Sequence, residues 1–564
     1  MIRELTLVLL IGLSCGKPVS KTTSLHAAYP TISTPLGDIQ GASMTSREGK
    51  YLIAFRGIRY AKAPLDELRF KPPVDPEKWE GVYNATQDGI ACSQPDIPNS
   101  GEDCLLLNVY SPKVPKGNDS PKKPVLVFFH AGDFTDQSSI SSLLGPQYLL
   151  DQDLVLVTAN YRLGIFGFIN TGDKEATGNY GLLDQLEALK WVKANIAAFG
   201  GNPDSVTIAG SGSGGFSVSL HLVSPLSKGL YHKAIIASGS AYGNIPILNN
   251  QLNLVKKVAK KLSCAVENNA DMMKCLKEKP AKDLAATNSE LREIVKDPHY
   301  TWLPTIEQDF GQNRFLTMHP LSLLNHGQVA NVPIMIAQTN DEFGFKAFNV
   351  ILNETLLQEY DKNFEKMAPI SFIYERDTDN SKVISKALRT FYWESGKIDN
   401  TTLPKIAEIY SDALAGFAVN RAANILSEKV NESVYYYKFN FKGKLSNYYL
   451  PDTNNTSPYG VVHGDDLIYL FHNNKFTDFK ENDPETTNLQ KMVMIWGNFV
   501  TSGKPIPTVT DILDNVKWEP YTTKNKKYMD IGNKMVMHEN LNEKRYAEWA
   551  KLFPLNKHSA AHSG

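Results

Sequence analysis

Uninterrupted runs of apolar residues alternate along this chain with longer segments of helical periodicity. The run at 125–129, VLVFF, and a second run at 154–158 are typical of strands buried on both faces. Residues 180–199 predict the clearest helix, because their leucines recur at helical spacing and two glycines follow. The other strand candidates lie at 51–55, 206–209, 233–237, 333–337, 434–439 and 527–531, and the other helical stretches at 381–391 and 403–430. This alternation predicts an α/β fold with a large, mostly parallel central sheet and helices on both faces.

A glycine-dense turn follows one of these strands. Residues 205–217 read SVTIAGSGSGGFS, in which an apolar strand, the turn and a helix-like continuation succeed one another. Strand–turn–helix segments with the pattern G-x-S-x-G hold a nucleophilic serine on a sharp turn above the sheet. In this chain the frame from Gly210 to Gly214 has Gly212 at its centre. Catalytic activity therefore depends on this one position.

Composition narrows the classes of partner. The 564 residues carry 59 lysines and arginines against 60 aspartates and glutamates, for a formal net charge of −1. No long block of one sign is present, so neither nucleic acid nor an anionic membrane surface is expected as a partner. A hydrophobic content of 42% is that of an ordinary globular protein with a sizeable core. Small neutral or apolar ligands remain open.

The N-terminus predicts export. Arg3 precedes an apolar run at 5–13 that is too short to span a bilayer comfortably, and small residues follow it. We interpret residues 1–20 as a signal peptide with an approximate cleavage site, which makes the mature protein secreted. No later apolar stretch reaches the length of a membrane helix, and the tail at 554–564 is polar, so no membrane anchor is expected.

Cysteines and sequons agree with an extracellular location. Cleavage of the signal peptide removes Cys15 and leaves four cysteines, whose short spacings favour pairing Cys92 with Cys104 and Cys264 with Cys275. The pattern N-x-[ST] marks candidate glycosylation sites at Asn84, Asn118, Asn353, Asn400, Asn431 and Asn454. The expected mature protein is a disulfide-bonded glycoprotein.

Several segments together resemble the type-B carboxylesterase and cholinesterase family. They are FRGIRYA at 55–61, EDCL at 102–105, NYRLGIFGF at 160–168, GNYGLLDQ at 178–185, FGGNP at 199–203, SPLSKGL at 224–230 and SGS at 238–240. Within the family, the chain is most similar to the insect esterases. The resemblance implies one α/β-hydrolase domain at 30–553, disulfides at both cysteine pairs, and neither a cofactor nor a metal ion.

The resemblance also assigns two members of a catalytic triad. The family hydrolyses esters through an acyl-enzyme, with a serine nucleophile, a histidine base and an acidic residue that orients the imidazole. It places the acid at Glu342, in AQTNDEFG, where the glycine usual after the acid is Phe343. The base falls at His463, in GVVHGDDL. The order elbow, acid, histidine is that of α/β-hydrolases.

Two departures fall on the groups that carry out the acyl chemistry. Gly212 stands where the serine belongs, and glycine has no side chain to form an acyl bond. The family's oxyanion loop reads H-G-G-G-F, and its last two glycines, which supply N–H donors, correspond here to Gly132 and Asp133. The N–H of Ser213 would be the third donor. A carboxylate beside a developing oxyanion adds repulsion unless Asp133 turns away or is protonated.

We therefore expect a secreted pseudoenzyme that binds a small apolar ester-like ligand or a protein partner. Two enzymatic alternatives stay open: Ser213 acts as nucleophile after a one-residue slip of the frame, or His463 with Glu342, or Asp133 itself, activates a water molecule. Adhesion is a third class, but its members in this family are generally membrane-anchored. Acetylcholine is disfavoured, because the loop between Cys92 and Cys104 lacks the aromatic residue that binds the quaternary ammonium in cholinesterases.

Overall fold

The strands of this protein form one large sheet and two small ones. The computed structural model describes residues 29–95, 97–115 and 122–555. Within these residues the strands are β1 (Thr31–Thr34), β2 (Gly37–Gln40), β3 (Ala42–Thr45), β4 (Tyr51–Arg59), β5 (Val82–Asn84), β6 (Ala91–Cys92), β7 (Ser100–Gly101), β8 (Leu106–Ser111), β9 (Lys123–Phe129), β10 (Val155–Ala159), β11 (Gly201–Ser211), β12 (Lys233–Ala237), β13 (Ile334–Thr339), β14 (Val434–Phe439), β15 (Lys527–Ile531) and β16 (Met535–Glu539).

The large sheet is parallel in its centre and antiparallel at its edges. Among the described residues it has eleven strands, in the order β16-β15-β14-β13-β12-β11-β9-β10-β8-β4-β3. In this order, every pair of adjacent strands from β15 to β10 is parallel. Antiparallel pairing adds β16 on one side and β8, β4 and β3 on the other. The predicted mostly parallel sheet is confirmed.

The α-helices of the described residues lie between and after these strands. They are α1 (Gly164–Phe168), α2 (Tyr180–Asn195), α3 (Ser213–His221), α4 (Leu252–Lys261), α5 (Asn269–Glu278), α6 (Ala281–Glu290), α7 (Pro320–Asn325), α8 (Ala347–Ile351), α9 (Glu354–Lys362), α10 (Phe364–Ser371), α11 (Asp379–Trp393), α12 (Leu403–Ser411), α13 (Phe417–Lys429), α14 (Pro484–Ser502) and α15 (Glu543–Leu552). A π-helical turn, Asp412–Gly416, joins α12 to α13.

Short 3₁₀ helices complete the secondary structure of this region. They are Asp66–Leu68, Leu149–Asp151, Ile196–Phe199, Pro225–Ser227, Gly344–Lys346, Asn400–Thr402, Asp466–Tyr469 and Asp511–Leu513. The segment Ile196–Phe199 continues α2 and ends at Gly200, which has a left-handed conformation. This accounts for the predicted helix at 180–199 and its two terminal glycines.

Helices cover both faces of the sheet because successive strand residues point to opposite sides. In β9, Val125, Val127 and Phe129 join one hydrophobic cluster, whereas Leu126 and Phe128 join another. The first cluster also contains the apolar residues of α2, α3 and α13. The second contains those of α14. The run VLVFF is continuous because both of its faces are buried.

Covalent links and surface positions agree with several sequence predictions. Disulfides join Cys92 to Cys104 and Cys264 to Cys275, as predicted. The sequon asparagines Asn84, Asn353, Asn400, Asn431 and Asn454 are all exposed. Asn118, the predicted signal peptide at 1–20 and the tail beyond Leu555 lie outside the described residues. No helix within residues 29–555 that the structure describes is long and apolar enough to cross a membrane.

Candidate active-site cavity

The candidate site is built on the turn between β11 and α3. Gly212 forms this turn with φ 56° and ψ −120°, a combination that residues with side chains adopt only with strain. Its N–H donates to the carbonyl of Ala237 at 3.0 Å, and its own carbonyl accepts from the Phe216 N–H at 2.9 Å. These bonds fix the turn to the sheet on one side and start the helix on the other.

The glycine after the turn allows a close approach of helix and sheet. A Cβ built on Gly214 would lie 2.1 Å from the carbonyl oxygen of Phe129, the last residue of β9. No side chain fits at that distance. The elbow therefore packs directly on the strand whose end leads into the loop of Gly132 and Asp133.

Gly212 faces the imidazole of His463. A Cβ built on Gly212 would lie 2.8 Å from His463 Nε2 and 3.5 Å from the Cβ of Ala131. Real Cβ atoms essentially never come within 3.0 Å of a non-bonded heavy atom. The imidazole thus occupies space beside the turn that a side chain at this position would need.

Glu342 and His463 form a buried pair. The Nδ1 of His463 lies 2.8 Å from Glu342 Oε2. Glu342 Oε1 accepts from the Ser238 hydroxyl at 2.7 Å and from the Thr339 N–H at 2.8 Å, and the residue is 1% exposed. Burial lowers the pKa of His463, but the hydrogen bond and charge of Glu342, with Asp133 adding to them, outweigh it and raise that pKa above its usual value.

The loops that carry this pair are tied to each other. The backbone N–H of His463 donates to the Glu342 carbonyl at 3.0 Å. A carboxylate oxygen of Asp341 accepts from the Val461 N–H at 2.7 Å, and one of Asp465 accepts from the Val462 N–H at 2.9 Å. Asp341 and Asp465 were not predicted as site residues, although they stand inside the motifs AQTNDEFG and GVVHGDDL. Their carboxylates position the histidine loop.

Phe343, the departure from the family pattern beside the acid, supports the imidazole. Its ring stacks on that of His463 with centroids 4.2 Å apart. It also approaches His299 edge to face, with centroids 4.5 Å apart. A phenyl ring at this position therefore lies against both imidazoles.

Asp133 projects from the oxyanion loop toward His299. Its Oδ1 lies 2.9 Å from His299 Nε2, and the backbone is left-handed at Asp133 and at the next residue, Phe134. Burial raises the pKa of Asp133, but His299, His463 and Lys346 together lower it below the usual value. Asp133 is therefore ionised at neutral pH, and its side chain is held by a neighbouring imidazole.

A cavity of about 290 Å³ opens in front of these groups. It lies at the carboxyl ends of β9 and β11, where open α/β sheets bind ligands. Its polar lining includes His130, Asp136 and Ser211 beside the groups already described. Burial, with the nearby charge of Asp133, raises the pKa of Asp136 to about 7. Much of the remaining wall is apolar: Phe128, Leu143, Leu144, Phe345, Leu467, Ile468, Phe471 and Phe476.

Ser213 lies apart from the imidazole. It is the first residue of α3, fully buried, and is not part of the cavity lining. Its hydroxyl neighbours the phenol of Tyr161, whose own hydroxyl donates to the His130 carbonyl at 2.9 Å. The structure therefore brings together Gly212, Glu342, His463, Gly132 and Asp133, but not the hydroxyl of Ser213.

Two further residues of the site, His299 and Asp136, were not predicted from the sequence. Asp136 stands three residues after Asp133 in the same loop, so a second carboxylate near the first could have been noted. His299 stands in a segment far along the chain, and no spacing marks it. Among the residues that the structure describes, no group of three or more His, Cys, Asp or Glu is arranged to hold a metal ion.

The fold and the geometry of the elbow define an α/β-hydrolase. The sequence profile described as "Carboxylesterase family" matches residues 28–549. The chain belongs to the carboxylesterase family.

Insect esterases are among its relatives. The chain is 33% identical to juvenile hormone esterase of Tribolium castaneum over 91% of this chain and 89% of that protein. It is 34% identical to esterase FE4 of Myzus persicae, with 84% and 85% covered, and 30% identical to venom carboxylesterase-6 of Apis mellifera, with 94% and 95% covered. Among solved structures, it resembles juvenile hormone esterase from Manduca sexta with OTFP covalently attached, at 26% identity and a TM-score of 0.82, covering 93% of this chain and 100% of the other.

Proposed function

We propose that this protein is a secreted carboxylesterase-family member that lacks serine-esterase activity and binds a small apolar ester-like ligand in the cavity. The observation that carries the proposal is the glycine opposite His463 Nε2. At this position a hydroxyl would have to attack the substrate carbonyl, and glycine supplies no atom that can be acylated.

The charge of Asp133 supports the same conclusion. An oxyanion hole works by aiming N–H donors at the negative charge that develops on the substrate oxygen. In the oxyanion loop of this protein, Asp133 with its ionised carboxylate occupies one of the two positions that supply these N–H donors. Its repulsion would oppose the tetrahedral intermediate, so two independent departures weigh against the same step, the attack on the ester carbonyl.

The retained cavity supports ligand binding. Its wall combines phenylalanine, leucine and isoleucine side chains with a few polar groups, which is the usual composition of a small-molecule site. The names of its relatives, among them juvenile hormone esterase and venom carboxylesterase-6, favour an ester-like ligand. Export is supported by the two disulfides and the exposed sequons.

The test is to treat the purified protein with a fluorophosphonate probe and with short aryl esters. We expect no mass increase from the probe and no ester turnover above that of a heat-denatured sample, with an active serine esterase as the positive control. Stoichiometric labelling of a serine by the probe would overturn the loss of serine-esterase activity.

A second candidate function is hydrolysis by water without a covalent intermediate. The observation that favours it is the intact His463–Glu342 pair at 2.8 Å, since such a pair can act as a general base. It predicts turnover that follows the titration of His463 and disappears in His463→Ala. A hydrolysis rate that stays at the buffer level from acid to alkaline pH would exclude this function. If turnover is observed, an unchanged rate in Ser213→Ala would exclude Ser213 as the nucleophile.

A further inference from the structure

We infer that the cavity selects a cationic ligand, a small apolar amine in its protonated form, which Asp133 and Asp136 bind through their carboxylates. This inference rests on the proposed function, because it names the chemical class of ligand for the same cavity. It departs from the neutral ester that the family relationship alone suggests.

The charged side chains that line the cavity favour a cationic ligand. Among the described residues that line the cavity, two aspartates occur but no lysine or arginine. Burial lowers the pKa of His130 to about 4, and it also lowers the pKa of His299, so both imidazoles are neutral at neutral pH. His463, whose pKa is raised, is balanced by the charge of Glu342 at 2.8 Å, so this pair adds no net charge to the cavity. The carboxylate of Asp133 therefore gives the cavity a net negative charge.

The nearest cations are engaged elsewhere. Lys346 lowers the pKa of Asp133, but its ammonium lies 2.9 Å from Asp297 and both side chains are buried. Arg292 lowers the pKa of Asp136 only in part, since that pKa remains raised to about 7. Neither residue lines the cavity. A buried carboxylate without a full counter-charge is costly, so a bound cation would stabilise the site.

A third polar group points to a ligand independently. The hydroxyl of Ser211, the last residue of β11, lines the cavity, is fully buried and has no hydrogen-bond partner among the described residues. Buried polar groups in native proteins are normally hydrogen-bonded. An ammonium N–H can donate a hydrogen bond to this oxygen or to the carboxylates. An ester carbonyl could accept from the Ser211 hydroxyl but offers no donor to the carboxylates.

The apolar wall suits the rest of such a molecule. Phe343, Phe345, Phe471 and Phe476 present rings to the cavity, and cations bind favourably to aromatic faces. A volume of about 290 Å³ is near the lower end of the range of about 300–1,000 Å³ for small-molecule sites. It can hold one ring with a short amine chain.

The test compares two ligands of the same shape, N,N-dimethylbenzylamine, which is protonated at neutral pH, and its neutral carbon analogue isobutylbenzene. Their affinities for the glycosylated, full-length protein are measured by isothermal titration calorimetry. We expect the amine to bind at least about tenfold more tightly, and Asp133→Asn to abolish that difference. Asparagine tolerates the left-handed backbone of Asp133, so this variant should fold. Asp136→Asn should weaken amine binding by a smaller factor.

The matched control is Asp204→Asn, an exposed aspartate paired with Lys193, which should leave both affinities unchanged. Equal affinities of the two ligands, or an amine affinity that survives Asp133→Asn, would overturn the inference while leaving the proposed apolar-ligand site intact. Binding of neither ligand would also overturn the inference, since a cation site must hold the amine, whereas the proposed function is judged separately by the fluorophosphonate and aryl-ester assays. Thermal unfolding of each variant establishes that it is folded.

Discussion

The distance from His463 to the elbow determines what a restored serine could do. In Gly212→Ser the new Cβ would start 2.8 Å from Nε2, so the imidazole must retreat toward the Phe343 ring that stacks on it. We expect this variant to be labelled slowly by a fluorophosphonate and to lose about 1–3 kcal/mol of unfolding free energy through backbone strain. Intact-protein mass spectrometry and urea unfolding measure the two effects.

The control is Gly212→Ala, which carries the same Cβ without the hydroxyl and should match the stability loss but not the labelling. Combining Gly212→Ser with Asp133→Gly should accelerate labelling at least about tenfold, since it removes a negative charge beside the developing oxyanion, where each stabilising donor is worth about 10²–10³ in rate. No labelling in the double variant would show that residues other than Gly212 and Asp133 also prevent acylation.

A second prediction concerns the pH dependence of stability. The pKa of His463 is raised in the folded protein, so its contribution is complete below the unfolded value of about 6.5 and is lost as pH rises through the folded pKa. Glu342→Gln removes the stabilising charge but keeps an acceptor for Ser238 and Thr339. The wild type should therefore exceed this variant in unfolding free energy by more at about pH 6 than at about pH 9.

Urea unfolding at both values checks this, with Glu77→Gln, an exposed glutamate beside Lys62, as the control that should show no such difference. An equal gap at the two pH values would mean that the pair does not hold a proton on His463.

At the scale of single residues, the sequence predicts which residues belong to the candidate site better than it predicts which side chains are in contact. Glu342 and His463 were found because short motifs surround them, and the structure brings them within 2.8 Å. The contact of Asp133 with His299 was not predictable, since it joins segments with no common pattern. The packing of Phe343 between two imidazoles depends in the same way on tertiary structure.

At the scale of secondary-structure elements, the turn at Gly212 depends on the tight packing of α3 against β9. Gly214→Ala would place a methyl group 2.1 Å from the Phe129 carbonyl and force the helix away from the strand. We expect a loss of about 3 kcal/mol, at the upper end of the usual range for overpacking. Urea unfolding measures it.

Gly532→Ala is the matched control, because its new Cβ would find its nearest atom at 3.6 Å, an ordinary contact. Its expected change is within about 0.5 kcal/mol. Equal stability of the two variants would show that α3 can move without cost.

Several strands begin and end where the apolar pattern of the sequence predicts. The predicted strands at 233–237, 434–439 and 527–531 coincide with β12, β14 and β15. The stretch at 403–430 is interrupted by a π-helical turn at Asp412–Gly416, which periodicity could not reveal. There the buried carboxylate of Asp412 contacts Tyr392 at 2.5 Å and Arg545 at 3.0 Å, both from other helices. Such long-range partners fix a local distortion that is absent from the local pattern.

For the whole molecule, the disulfides constrain two loops of similar length. The bridges span 12 and 11 residues, and the chain-entropy model gives each about 3 kcal/mol. Replacing both cysteines of a pair with alanine should cost about that much. The loss should be larger for Cys92 and Cys104, whose side chains are 2% and 1% exposed in the core.

Non-reducing urea unfolding of the two double variants checks this, with a free-thiol assay on each to establish that the other bridge has formed. Unchanged stability in either variant would contradict the entropic contribution of that loop.

The glycine at the elbow also has a consequence for how the protein would act on its ligand. One molecule of an active esterase hydrolyses many substrate molecules in succession, so a small amount of enzyme can remove a much larger amount of substrate. With no atom at Gly212 to be acylated, each molecule of the proposed binder holds one ligand at a time. Its capacity is then set by its own concentration and by the lifetime of the complex. Such a protein acts stoichiometrically, as a reservoir or carrier, and must be abundant wherever it lowers the level of its ligand.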